Sequence, residues 1–144
     1  MDLKNAGYYF SAFRKLYHSY TDFQLSALGE YDLSPNEIVV LASLDTVITA
    51  SEIACDADVS KALVSRSVKL LKEKGFITVV PSLVDKREQT LELTDTGKTV
   101  AVIINDANKR FFATALANFE GTEQEALLAL LKLMMKNLSI GEWT

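Results

Sequence analysis

Cysteine and histidine are almost missing from this 144-residue sequence, and their scarcity closes off much chemistry at once. The single cysteine, Cys55, has no partner for an internal disulfide and cannot build a multi-cysteine zinc site. The single histidine, His18, excludes a two-histidine base or metal pair within one chain. No phosphate-cradling glycine loop and no spaced cluster of metal ligands is present, so neither catalysis nor a cofactor is expected. Long apolar runs are absent too: none approaches the ~18 uncharged residues that a membrane span needs. Met1-Asp2-Leu3-Lys4 lacks the basic flank and apolar core of a signal peptide. The expected compartment is the cytoplasm, with no membrane partner. Proline occurs only as Pro35 and Pro81, each at the edge of an expected element, where a missing N–H is tolerated.

What is present describes a globular chain, expected to be one domain over residues 1–144 and long enough to bury a core without covalent staples. Apolar residues make up 49% and charged residues 24%. The net charge of −4 argues at first against nucleic acid, but its distribution reverses that reading. Between Ser60 and Thr90 stand seven cations (Lys61, Arg66, Lys69, Lys72, Lys74, Lys86 and Arg87) against Glu73, Asp85 and Glu88. That stretch is +4, which leaves −8 for the rest. A basic island in an acidic chain is the footprint of a nucleic-acid-binding segment, although a solvated helix face has the same composition.

Residues from about Asn5 to Leu28 carry Tyr9, Phe10, Phe13, Leu16, Tyr17, Tyr20 and Phe23 at helical spacing, with Gly29 as a stop. Ser34-Pro35-Asn36-Glu37 is a helix start in which the serine caps, the proline fits the first turn and the glutamate reaches back. Thr49-Ala50-Ser51-Glu52 repeats the capping pattern, and Ser60 caps the next helix, which stops at Gly75. Ile77–Val80 and Thr90–Leu93 read as two strands around a charged tip. Thr94 then caps a long helix, and Thr122-Glu123-Gln124-Glu125 opens the last one. The predicted fold is mostly α with a small β-hairpin.

A short helix, a turn and a longer basic helix form a helix-turn-helix candidate. Its second helix needs one face for the domain and one for the major groove. Val59, Val64, Val68 and Leu71 supply the first; Ser60, Lys61, Ala62, Ser65, Arg66 and Lys69 supply the second. Small side chains at Ala62 and Ser65 permit close approach to bases, and the polar ones suit phosphates or base edges. Lys72 and Lys74, late on this helix, reach phosphate at most. The hairpin supplies a wing: Arg87 at its tip suits a narrow minor groove, where negative potential is focused, with Lys86 beside it. Asp85 is repelled by phosphate and reads as a structural anion that orients Arg66 or Arg87, or closes the turn.

Asp85-Lys86-Arg87 followed by Leu93-Thr94-Asp95-Thr96-Gly97 resembles the wing signature of the MarR (multiple-antibiotic-resistance regulator) family, Asp-x-Arg and then Leu-Thr-x-x-Gly. Ala50-Ser51-Glu52-Ile53-Ala54, Val59-Ser60, Val64-Ser65-Arg66, Leu71 and Lys74-Gly75-Phe76-Ile77 resemble that family's helix-turn-helix. The resemblance runs without gaps from about Leu33 to Gly97. It implies a winged helix-turn-helix over 33–97 and a two-fold homodimer joined through helices in 1–30 and 98–144. It also implies an inverted-repeat operator of double-stranded DNA, with the Ser60 helix in the major groove and Arg87 in the minor groove. Small phenolic or anionic effectors that loosen DNA binding are implied as well, and hence a repressor relieved by such a molecule. Two places depart from the family pattern: Leu83-Val84 makes the wing apolar before Asp85, and Val79-Val80 lacks basic residues. A winged-helix protein-interaction module that does not read DNA sequence is the alternative.

Phe111-Phe112, Leu127-Leu128, Leu130-Leu131, Leu133 and Met134-Met135 exceed what one small core can cover, which points to a second copy, or else to a thick intramolecular core. Tyr17, Tyr20 and Phe23 suit an effector pocket, and equally a core or dimer face. His18 reads as a surface or interface residue. Cys55, flanked by Asp56 and Asp58, reads as inert.

Overall fold

The structure is a computed structural model that describes residues 3–44, 49–57, 59–81 and 89–140. A 3₁₀ turn (Leu3–Asn5) leads into α1 (Ala6–Ala27), followed by α2 (Pro35–Ser43), α3 (Ala50–Asp56) and α4 (Lys61–Glu73). The strands β1 (Ile77–Pro81) and β2 (Gln89–Leu93) precede α5 (Asp95–Ala115) and α6 (Gly121–Ile140). The chain divides into two compact units, residues 1–109 and 110–144.

In the first unit the helix starts follow the capping chemistry of the sequence. Ser34 Oγ accepts from Glu37 N (3.3 Å) while Glu37 Oε1 accepts from Ser34 N (3.2 Å), a reciprocal cap with Pro35 in the first turn. Thr49 Oγ1 accepts from Glu52 N (3.2 Å), and Ser60 Oγ accepts from Leu63 N (3.2 Å). Helix α4 ends in a Schellman motif: Phe76 N donates to Leu71 O and Gly75 N to Lys72 O, with Gly75 at φ 83°. Glycine occupies that left-handed position without the Cβ penalty of other residues.

Ile38, Leu41, Ile53, Val64, Leu71, Ile77, Leu91, Val100 and Ile104 are buried together, so α2 to α5 and both strands share one core. In the antiparallel hairpin Ile77 faces Leu93 and Val79 faces Leu91. Period-two alternation sends these four side chains to the core side, while Thr78 and Glu92 are exposed. An isolated antiparallel bridge joins Thr49 to Thr90, tying the start of α3 to β2.

The junction between hairpin and α5 is tight. Thr94 Oγ1 donates to Gly75 O (2.6 Å) and accepts from Gly97 N (3.1 Å), so one hydroxyl caps α5 and anchors it to the end of α4. Thr94 N donates to Phe76 O.

The second unit holds the end of α5, a turn with Asn118 at φ 68°, and α6. Helix α6 starts at Gly121 rather than at Thr122, with Glu123 Oε2 accepting from Glu120 N (3.1 Å) just ahead of it. Every described side chain of α6 is exposed, including Leu130 at 59% and Met135 at 62%. A groove of about 400 Å³ in this unit is lined by Phe112, Leu116, Leu127, Leu128 and Leu131, with Gln124 and Glu125 at the polar side. No helix among the described residues is long and apolar enough to cross a membrane.

Candidate nucleic-acid interface

Helix α4 divides cleanly into two faces. Val64, Ser67, Val68 and Leu71 are buried, on the side that meets α2 and α3. Ser60, Lys61, Ala62, Ser65, Arg66 and Lys69 are all exposed, and Ala62, Ser65, Arg66 and Lys69 lie on the opposite side. The spacing of 100° per residue produces this split, because 64, 68 and 71 stack along one stripe and 62, 65, 66 and 69 along another. Ser60 keeps its O–H as a donor even while its oxygen caps the helix. Arg66 lies along its own helix, Nε donating to Ala62 O at 3.4 Å. A bond that long is weak enough for a phosphate to displace.

Lys74, expected to reach phosphate at most, is ion-paired within the chain. Its ammonium donates to both Glu37 oxygens (Oε1 3.1 Å, Oε2 2.9 Å) and to the Asp32 carbonyl. Its ammonium is thus engaged within the chain, although Lys74, like Lys72, is exposed. Charge counting cannot tell a solvated lysine from a paired one.

The strands carry the wing up to the Pro81–Gln89 pair. Asp85, Lys86 and Arg87 lie outside the described residues, as do Leu83 and Val84.

Of the three aromatic residues considered for an effector pocket, Tyr17 is exposed while Tyr20 and Phe23 are half-buried. The structure adds two partners. Gln24, buried, donates through Nε2 to the Tyr20 hydroxyl (2.9 Å) and to Asn108 Oδ1 (2.9 Å), which joins α1 to α5. Gln24 sits one turn beyond Tyr20, but Asn108 is 84 residues from Gln24, and no local pattern pairs them. Burial pushes the Tyr20 phenol above its ordinary value of 10.0; Tyr17 adds to that push, and hydrogen bonds with Asn108 and Gln24 oppose it. The folded state therefore keeps a proton that the unfolded state releases. Its contribution to stability is complete below pH 10.0 and is lost as pH rises through the folded value. The urea midpoint of the wild type should accordingly fall more steeply above pH 10 than that of Tyr20→Phe; parallel curves would remove Tyr20 from the alkaline transition.

His18 is exposed, its ring edge-on to Tyr17 at 6.2 Å, and Cys55 is exposed on α3. Among the described residues no group of three or more potential ligands is placed to hold a metal ion.

The model of the MarR family matches residues 33–89. An uncharacterized HTH-type transcriptional regulator, YdcH of Bacillus subtilis (strain 168), is 34% identical over 70% of this chain and 77% of its own length. Among solved structures, a MarR family transcriptional regulator from Listeria monocytogenes complexed with 26mer DNA superposes with a TM-score of 0.83 at 19% identity, covering 90% of this chain and 87% of that one. A cysteine-to-serine mutant of MarR from E. coli, complexed with operator DNA, superposes with a TM-score of 0.75 at 21% identity, covering 93% and 99%.

Proposed function

The chain belongs to the MarR family of transcriptional regulators and is not an enzyme, and on that premise we propose that it is a homodimeric repressor of an inverted-repeat operator, relieved by a small phenolic or anionic effector. The observation that carries the DNA reading is the outward face of α4. Lys61, Arg66 and Lys69 surround the small Ala62 and Ser65, on a helix whose other side is locked into the core. Two relatives of the same fold were solved on DNA, which supports placing α4 in the major groove. In this reading residues 33–97 form the DNA-binding part, and 1–30 with 98–144 the dimerisation part. Two such helices related by a two-fold axis face major grooves about 34–36 Å apart, so the half-sites lie about one turn apart. The exposed apolar side chains of α1 and of α6 support the dimer. Tyr17, Tyr20 and Phe23 support an aromatic effector site on α1, where a phenolic ligand would compete for the Gln24 amide.

The proposal assigns Arg87 to the minor groove, with Lys86 on phosphate and Asp85 as the anion that orders the wing. Arg87→Ala should weaken specific binding by about 1–3 kcal/mol, the scale of a good base-edge contact. Arg87→Lys should recover part of it, since the charge returns without the planar fork. The test is a titration of the three proteins at fixed salt against duplex fragments selected from the source genome, repeated with a phenolic carboxylate present, with dimerisation checked alongside. Equal affinities would take Arg87 off the DNA contacts and favour an interaction module, a reading that the exposed Leu70 and Val80 also suit. Unaltered binding with the carboxylate would remove phenolic effectors.

A further inference from the structure

We propose that Lys74, through its ion pair with the Glu37 carboxylate, is a positioning residue that fixes the pose of α4 and so its fit to DNA; this rests on the DNA-binding reading above. Glu37 serves two partners at its helix start: one oxygen closes the Ser34 cap, and both oxygens receive the Lys74 ammonium. The carboxylate is 3% exposed, and Lys74 is the C-cap of α4, directly after Glu73. A charge that deeply placed is strongly held to its partner, because an unpaired buried ion is costly. The third ammonium proton goes to the Asp32 carbonyl, in the turn between α1 and α2. The ring of Tyr31 from the same turn meets Phe76 edge-on at 6.0 Å, one residue beyond Gly75.

The C-terminal end of α4 is thus pinned to the start of α2 by charge and to the turn before α2 by ring contact, within a Schellman turn that leaves little slack. Geometry makes the pin consequential. At 1.5 Å per residue a 13-residue helix is about 20 Å long, so a tilt of about 5° at one end moves the other by about 1.7 Å. Hydrogen bonds to base edges tolerate only a few tenths of an ångström, while contacts of mobile lysines with phosphate tolerate much more. Loss of the pin should therefore harm recognition of sequence more than general attraction to DNA.

The first variant is Glu37→Gln, which keeps the volume and an acceptor for Ser34 N and leaves Lys74 able to reach water. The second is Glu37→Gln/Lys74→Met, which removes both charges together. Lys72→Met, at an exposed lysine, is the comparison. Each full-length protein is titrated with a selected operator fragment and with random duplex over a range of salt, and its fold is monitored by circular dichroism. Both Glu37 variants should lose about tenfold in the operator-to-random affinity ratio, with the salt slope unchanged. Lys72→Met should weaken both DNAs alike and flatten the slope. A wild-type ratio in folded Glu37→Gln would overturn the positioning role, as would a double variant that weakens both DNAs equally with a flatter slope. If the wild type bound no duplex in a salt-dependent way, the DNA reading itself would fail and this role with it. Wild-type binding with unchanged variants sinks the positioning role alone.

Discussion

Gly97→Ala is expected to lower the stability of the fold by about 3 kcal/mol or more, combining the cost of overpacking with the loss of a helix cap. A methyl group at Gly97 would stand 2.0 Å from Phe76 O and 3.0 Å from Phe76 C. Neither atom can give way cheaply. Phe76 O accepts from Thr94 N, and Phe76 N closes the Schellman turn of α4. The start of α5 would have to move off, and Thr94 would then lose its bonds to Gly75 O and Gly97 N. The urea midpoint at unchanged slope measures the effect. Gly7→Ala and Gly121→Ala provide the contrast, since nothing lies within 4 Å of either added carbon. Both are helical positions where alanine is neutral or favourable. A Gly97→Ala midpoint matching theirs would show that the α4–α5 junction is looser than the structure describes.

On the proposed dimer, the double substitution Leu128→Glu/Leu131→Glu should yield a monomer and weaken operator binding by about 100-fold or more. Both leucines are exposed in the single chain, one turn apart on α6, and both line its groove. Carboxylates there cost the isolated chain little, whereas burying four of them in a two-fold interface is prohibitive without partners. A monomer engages one half-site at a time and forfeits the gain of linked binding, commonly 10²–10⁴-fold. Sedimentation with helicity unchanged by circular dichroism checks the first part, and a titration the second. A variant that still sedimented as a dimer would place the two-fold contact elsewhere on the chain.

Much of the fold was legible because its signals are local. Ser34-Pro35-Asn36-Glu37 announces a helix start through contacts that span three residues, and the cap forms as those residues imply. The two faces of α4 follow from periodicity alone. The Leu-Thr-x-x-Gly resemblance was visible as a pattern, but its physics was not: that Thr94 ties α5 to Gly75, and that Gly97 clears the Phe76 carbonyl, requires coordinates. Contacts between distant segments were invisible for the same reason. Lys74 counted as one more cation until Glu37, 37 positions earlier, was seen beside it. Gln24 and Asn108 carried no mark of their pairing. On α1 and α6 the apolar periodicity was plain, but a helix stripe looks the same in sequence whether it faces its own core or another surface.

The bridge between Thr49 and Thr90 closes the chain into a ring. Within it lie α3, α4 and β1, and the ring is fastened again at every rung of the β1–β2 ladder. A residue gained or lost in α3, in α4 or between them would have to be absorbed inside that ring, at the expense of the register that closes it. Pro81–Gln89 is the last rung among the described residues, and residues added beyond it leave each described pair in place. Chain length is therefore constrained where the helices are set, and the two helices keep a constant span.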